Sequence, residues 1–237
     1  MNSKLIHSLL LAVLIITQTG CDDGSDETEA PSYVAIADNN IMADGFDFPI
    51  EQGEMAGWLE PPEADKPWDA SSYLVHRGDG IHAAIDFMRE DNSSAAGYEL
   101  WAVADGIVVD IVYDREAYPL RHDGSDRDQG WGNLILIQHD YYENGVHKRV
   151  WSQYAHCQTI EVELNDIVQR DQRIGLVGHT DGVVGVESWN DHLHFEMRST
   201  NLKADAWPKS IGLITDEEVA EHYMHPLEFI RAHRPGY

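Results

Sequence analysis

Cysteine is nearly absent from this chain: Cys21 and Cys157 are the only two in 237 residues. At most one disulfide could form, so a disulfide framework is excluded and stability has to come from packing, with a bound metal as a further source. Basic residues are also scarce, 16 Lys and Arg against 42 Asp and Glu, and the formal charge of −26 repels nucleic acid and anionic lipid surfaces. Nucleic-acid binding is set aside on that ground. The apolar run at residues 9–16 falls well short of the roughly twenty residues a spanning helix needs. There is no H-E-x-x-H, so the glutamate base of that motif has no counterpart here, and no repeat of solenoid period is found.

What is present is ample for a folded core: 43% of the residues are hydrophobic, and the length predicts one or two domains. Lys4, the apolar run and then TQTG before Cys21 read as a secretory signal over residues 1–20. A cysteine after a small residue resembles a bacterial lipobox, although Gln18 stands where that pattern has an aliphatic residue. A lipid on Cys21 would attach the exported protein to a membrane. Residues 21–40 are acidic and poor in apolar side chains, which predicts a disordered tether. Residues 41–72, with aromatics among prolines, read as an irregular N-terminal arm packed on the domain formed by residues 73–237.

From residue 73 the chain is a succession of short β-type runs separated by Gly and Asp, the pattern of a mainly β fold with one antiparallel sheet or two. Residues 100–112 read as two strands around an Asp105-Gly106 turn; 134–138, 149–157, 174–177 and 192–197 are further strands. Two polar segments, 114–130 and 178–191, exceed ordinary hairpin loops, and long loops in compact domains tend to carry function. Residues 216–223 read as a short helix with Thr215 as N-cap and acidic residues in its first turn.

The chemistry concentrates in NDHLHFEMR, residues 190–198. In a strand, His192, His194 and Glu196 face one way and Leu193, Phe195 and Met197 the other. Taken alone, the H-x-H fits either two polar residues on a half-exposed strand or two imidazoles meeting a metal ion and its water. IHAAIDF offers His82 and Asp86, which share a face if the segment is extended. A second H-x-x-x-D, His122 to Asp126, has no apolar frame to hold it and is read as a decoy. In RVWSQYAHC, alternation sets Ser152, Tyr154 and His156 against Gln153, Ala155 and Cys157. His156 there either closes a strand edge or serves a site, and Cys157 reads as simply buried. His139 reads as structural, and His76, His147 and His179 are given no chemistry.

Four pieces thus stand in order, HAAID, YAH, GLVGHT and HLHFE, accompanied by AVADGIVV and WGNLILIQH. Together, over residues 73–198, they resemble the lysostaphin-type, or LytM-like, zinc metalloendopeptidases. The resemblance implies a compact antiparallel β-domain of the duplicated hybrid motif type, with a metal on the floor of a groove. It also implies Zn2+ held by His82, Asp86 and His194, with His192 and His156 as the catalytic pair beside a metal-activated water. Glu196 would then be either a partner of a ligand or a surface glutamate. The implied substrate is peptidoglycan, cleaved in its peptide cross-bridges; a non-catalytic cell-wall-binding or amidase-activating module and a peptidase of Gly-rich secreted proteins are the alternatives. Ala84 replaces a usual glycine, Asp191 a usual proline, and the loop at 180–191 is longer than typical, departures that bear on substrate fit.

Overall fold

The computed structural model describes residues 33–37, 40–50, 57–58, 72–77, 80–91, 93–113, 133–178 and 191–236. The expected signal segment, Cys21 and the His122–Asp126 repeat lie outside the described residues, as do the long loop at 114–130 and nearly all of the one at 178–191.

Strands in chain order are β1 (Met42–Ala43), β2 (Val75–Arg77), β3 (Gly80–His82), β4 (Ile85–Phe87), β5 (Glu99–Trp101), β6 (Gly106–Val112), β7 (Asn133–Glu143), β8 (Val146–Ile160), β9 (Ile167–Val168), β10 (Arg173–Val177), β11 (Leu193–Arg198) and β12 (Tyr223–Met224). Helices α1 (Asp216–His222) and α2 (Pro226–His233) close the chain. The fold is mainly β, as the spacing of the apolar runs predicts. Its main sheet runs β12-β11-β8-β7-β6-β9, with β4 on β11 and β10 bridging β5 and β8, while β2 and β3 form a separate two-stranded sheet.

The longest pairing, β7 with β8, extends past both predicted strands to a two-residue turn, Asn144-Gly145. Both residues have positive φ, 51° and 77°, as a type I′ hairpin requires. The Asp105-Gly106 pair, by contrast, does not close the predicted hairpin: β5 pairs with β10, and β6 with β7 and β9. Ala102, Val103 and Ala104 between them are fully buried, a crossing through the core rather than a turn at the surface. Gly106 is needed for close approach, since a Cβ there would stand 2.5 Å from the Gln138 carbonyl oxygen and 2.6 Å from His139 Nδ1.

Alternation along β7 sends Ile135 and Ile137 to the main core and Leu134 and Leu136 to a second cluster with Trp151, Ala155 and Ala204. Of the expected N-terminal arm, the described residues Ala43, Phe46, Phe48, Ile50 and Trp58 join the main core. β1 pairs in parallel with β7, and Phe46, Ile50 and Trp58 are fully buried or nearly so. Phe46 meets Phe229 and Tyr141 edge to face, with centroids 4.8 and 5.4 Å away. The predicted C-terminal helix is α1, started by a reciprocal cap: Thr215 Oγ1 accepts from Glu218 N–H and the Glu218 carboxylate accepts from Thr215 N–H. Helix α2 was not legible in the residue pattern; it buries Leu227, Phe229 and Ile230.

Candidate metal centre

Strand β11 lies between β4 and β8, and its register puts His194 directly opposite Asp86 on one side and Ala155 on the other. Period-two alternation then keeps Leu193, Phe195 and Met197 in the main core and turns His194 and Glu196 to the opposite face. All six residues of the strand are buried.

His82 arrives differently. Two residues four apart in a fully extended strand stand roughly 13 Å apart at Cα, too far to share an ion, and the expectation of an extended His82-to-Asp86 segment is therefore corrected. The chain leaves the two-stranded sheet after His82, bends at Ala83-Ala84 and enters the main sheet at Ile85. That bend brings His82 Nε2 to 3.0 Å from Asp86 Oδ1. Both alanines are buried, and Ala84 is not among the residues with positive φ, so an alanine fits where the family resemblance leads one to expect glycine.

His82 Nε2, Asp86 Oδ1 and His194 Nδ1 form a small triangle with sides of 3.0, 2.9 and 3.1 Å. The outward nitrogen of each ring is already committed. His82 Nδ1 donates to the Ser72 carbonyl oxygen at 2.8 Å, and His194 Nε2 donates to Glu196 Oε1 at 3.0 Å. Each imidazole therefore aims a lone pair inward, where a carboxylate oxygen also points. Three acceptors this close repel one another unless a proton or a cation stands among them. Two donors bound tetrahedrally to zinc at about 2.0 to 2.1 Å are roughly 3.3 Å apart, so the three atoms fit such an ion with small outward shifts.

The electrostatics carry the same signature. Burial opposes charge on Asp86, but His82, His192 and His194 outweigh it and hold its carboxyl well below the usual range. Burial likewise opposes a proton on His194, yet Asp86 and Glu196 outweigh it and raise the imidazole above its ordinary value. Behind Glu196 stands Arg198, fully buried: its Nε donates to Glu196 Oε2 at 2.6 Å, and its other donors reach Gln153 Oε1 and the carbonyl oxygens of Leu202, Lys203 and Ala206. Glu196 is thus a buried partner of His194 and not a surface glutamate. On the other side, Arg77 Nη2 donates to Asp86 Oδ2 at 2.6 Å.

His192 and His156 lie beside this triangle. His192 Nε2 is 3.5 Å from Asp86 Oδ1, and the His156 ring stands edge to face with it, centroids 4.8 Å apart. The predicted facing of β8 does not hold at this point. Tyr154 and Cys157 are in the main core, where Tyr154 packs on Phe195 and its hydroxyl accepts from Val103 N–H, while Gln153 and Ala155 share the face of Glu196 and His194. Strict alternation would have sent His156 into the core with Tyr154. His156 instead adopts φ 59°, and the β7–β8 and β8–β10 registers both shift nearby. This bulge turns its ring to the site.

Of the other histidines singled out in the sequence, His179 lies outside the described residues. His139 is fully buried, with Nδ1 donating to the Asp105 carbonyl oxygen and Nε2 accepting from the Ser152 hydroxyl. His76 pairs with Asp216 at the surface and His147 with Asp140. Burial pushes the Cys157 thiol well up, so it is an inert core residue. Asp191, in the place of the usual proline, accepts a hydrogen bond from the Ser94 hydroxyl.

Arg198 and Arg77 were missed in the residue pattern. Continuing the period-two reading two residues past Glu196 would have found Arg198; Arg77 had no such signal, because it reaches Asp86 from another sheet.

The sequence profile of peptidase family M23 matches residues 80–206, more than half of the chain. The peptidoglycan DD-endopeptidase ShyB of Vibrio cholerae serotype O1 is 30% identical over 116 residues, covering 49% of this chain and 21% of that protein. The chain thus spans about a fifth of the curated relative it matches. The catalytic domain of lysostaphin from Staphylococcus simulans superposes with a TM-score of 0.41 at 20% identity, over 68% of this chain and 87% of that one. A chain of the SpoIIIAH–SpoIIQ complex superposes at 0.47 with 17% identity, over 78% of this chain and 99% of that one.

Proposed function

Because this chain belongs to peptidase family M23, we propose that it is an exported zinc metalloendopeptidase that hydrolyses the peptide cross-bridges of peptidoglycan. The observation that carries this reading is the convergence of His82 Nε2, Asp86 Oδ1 and His194 Nδ1, with the inward lone pair of each imidazole fixed by a partner on the far side of its ring. These three residues would hold the metal. A bound Zn2+ supplies Lewis acidity, which polarises a carbonyl and makes water nucleophilic near neutral pH.

The remaining work falls to the chain's own groups. His192 and His156 stand beside the donor set, and an imidazole, with an ordinary pKa near 6.5, can both take and give a proton near neutrality. Between them they take the proton of the attacking water, return it to the leaving amine nitrogen, and donate a hydrogen bond to the carbonyl oxygen as charge builds on it. Glu196 orients the His194 ring and holds its outward proton, and Arg198 holds Glu196 ionised in a buried setting. The export reading rests on the N-terminal residues, with lipid on Cys21 as the attachment to a membrane.

Incubating the purified protein with cell-wall sacculi, with and without a chelator, and identifying released fragments by mass spectrometry tests the proposal. Chelator-sensitive release of cross-bridge peptides, restored by Zn2+, is expected. Intact sacculi would instead favour a non-catalytic wall-binding or amidase-activating module, and release that ignores the chelator would remove the metal from the mechanism.

A further inference from the structure

Asp86 presents its two carboxylate oxygens to different partners. Oδ1 faces the inward nitrogens of His82 and His194, at 3.0 and 2.9 Å, whereas Oδ2 takes a 2.6 Å charge-assisted hydrogen bond from Arg77. A guanidinium is charged at every accessible pH and has no acceptor, so in this contact Arg77 can only donate. The β2–β3 hairpin secures it: Arg77 pairs with Gly80 and Val75 with His82, so the strand that supplies one donor to the triangle is tied to the strand that restrains another.

We propose that Arg77 is a positioning residue that makes Asp86 a one-oxygen ligand, leaving the coordination position that Oδ2 would otherwise take for water and the substrate carbonyl. The inference rests on the metallopeptidase reading above. Carboxylates bind divalent ions through one oxygen or two, and a hydrolytic site needs a position kept open. Turning Oδ2 toward the ion would break the contact with Arg77, so the arginine opposes two-oxygen binding. It does so at a cost in affinity, because it sets a positive charge close to a dication. Arg77 lines a small pocket together with His82, His194, Trp207 and Pro208. Its side chain is 29% exposed, which leaves room for substitution without a cavity in the core.

The test compares wild type, Arg77→Gln and Arg77→Lys, each checked first for an unchanged thermal unfolding transition with metal removed. Metal affinity is read by chelator competition, and coordination number by the visible absorption of the Co2+-substituted protein, which weakens as four-coordinate geometry gives way to five. Arg77→Gln is expected to bind Zn2+ about three- to tenfold more tightly, from removal of a nearby positive charge, with weaker Co2+ absorption and kcat lowered about tenfold or more. Arg77→Lys, which keeps a cation on Oδ2, is expected to stay near the wild-type spectrum. A spectrum and affinity unchanged in Arg77→Gln, or affinity lost in the glutamine variant as a merely structural contact would give, overturns the inference. Wild-type protein that takes up no metal overturns the metallopeptidase reading itself, a distinct result.

Discussion

Asp86 and His194 face each other in antiparallel register on neighbouring strands, with Oδ1 and Nδ1 2.9 Å apart and both side chains buried. Directly opposed residues have Cβ atoms about 5 Å apart, so the pairing alone brings two of the three donors within reach of one ion. The third, His82, is supplied by the bend at Ala83-Ala84.

Removing a proposed metal donor and removing a proposed proton carrier should have different effects. His194→Ala is expected to lose bound zinc and activity together. His192→Ala is expected to retain zinc and lose turnover by about 10² to 10⁴-fold. Metal content by elemental analysis, measured alongside sacculus hydrolysis, separates the two; full activity in His192→Ala would remove that residue from its assigned role.

Glu196 is buried between His194 and Arg198, so its charge should be felt at the proposed metal position. Glu196→Gln keeps the shape and loses the carboxylate. Zinc affinity is expected to fall about 10- to 100-fold, with a loss of folding stability as well because Arg198 is left as an uncompensated buried charge. Chelator competition and urea unfolding of the metal-free protein measure the two effects independently.

His139 makes an acid-sensitive contribution to folding. Burial pushes its pKa down from 6.5 to about 4, so between those values the unfolded chain binds a proton that the folded protein refuses. Stability is therefore full above pH 6.5 and declines as the pH falls toward 4, by about 3 kcal/mol in total from this group. Unfolding free energies of wild type and His139→Gln at pH 7 and pH 4.5 should show a smaller acid loss in the variant; equal losses would remove His139 as a source.

The described part of the arm around Phe46 is expected to be inseparable from the domain. Phe46 is fully buried against Tyr141 and Phe229, and Phe46→Ala should destabilise the protein by about 3 to 5 kcal/mol. A chemical denaturation midpoint unchanged from wild type would show the arm to be a mere appendage.

Much of the site was legible because its motifs are local. HLHFE sorts its own faces by period two, and the structure keeps Phe195 and Met197 in the core and His194 and Glu196 on the opposite side. The Thr215 cap was equally local, since every atom it uses lies within four residues. The Asp105-Gly106 hairpin failed for the converse reason: what β5 and β6 pair with is decided by β10 and β7, distant in the chain.

The sequence by itself determined the mainly β architecture, the family resemblance and the residue types that meet at the candidate metal centre. Only the tertiary structure decided that His156 leaves the Tyr154 face through a left-handed bulge, that His82 turns back toward Asp86, and that two arginines stand behind the donor set. Alternation and capping are properties of adjacent residues. A bulge, a bend or a buried ion pair is settled by which strand packs alongside, and that choice is spread over the whole chain.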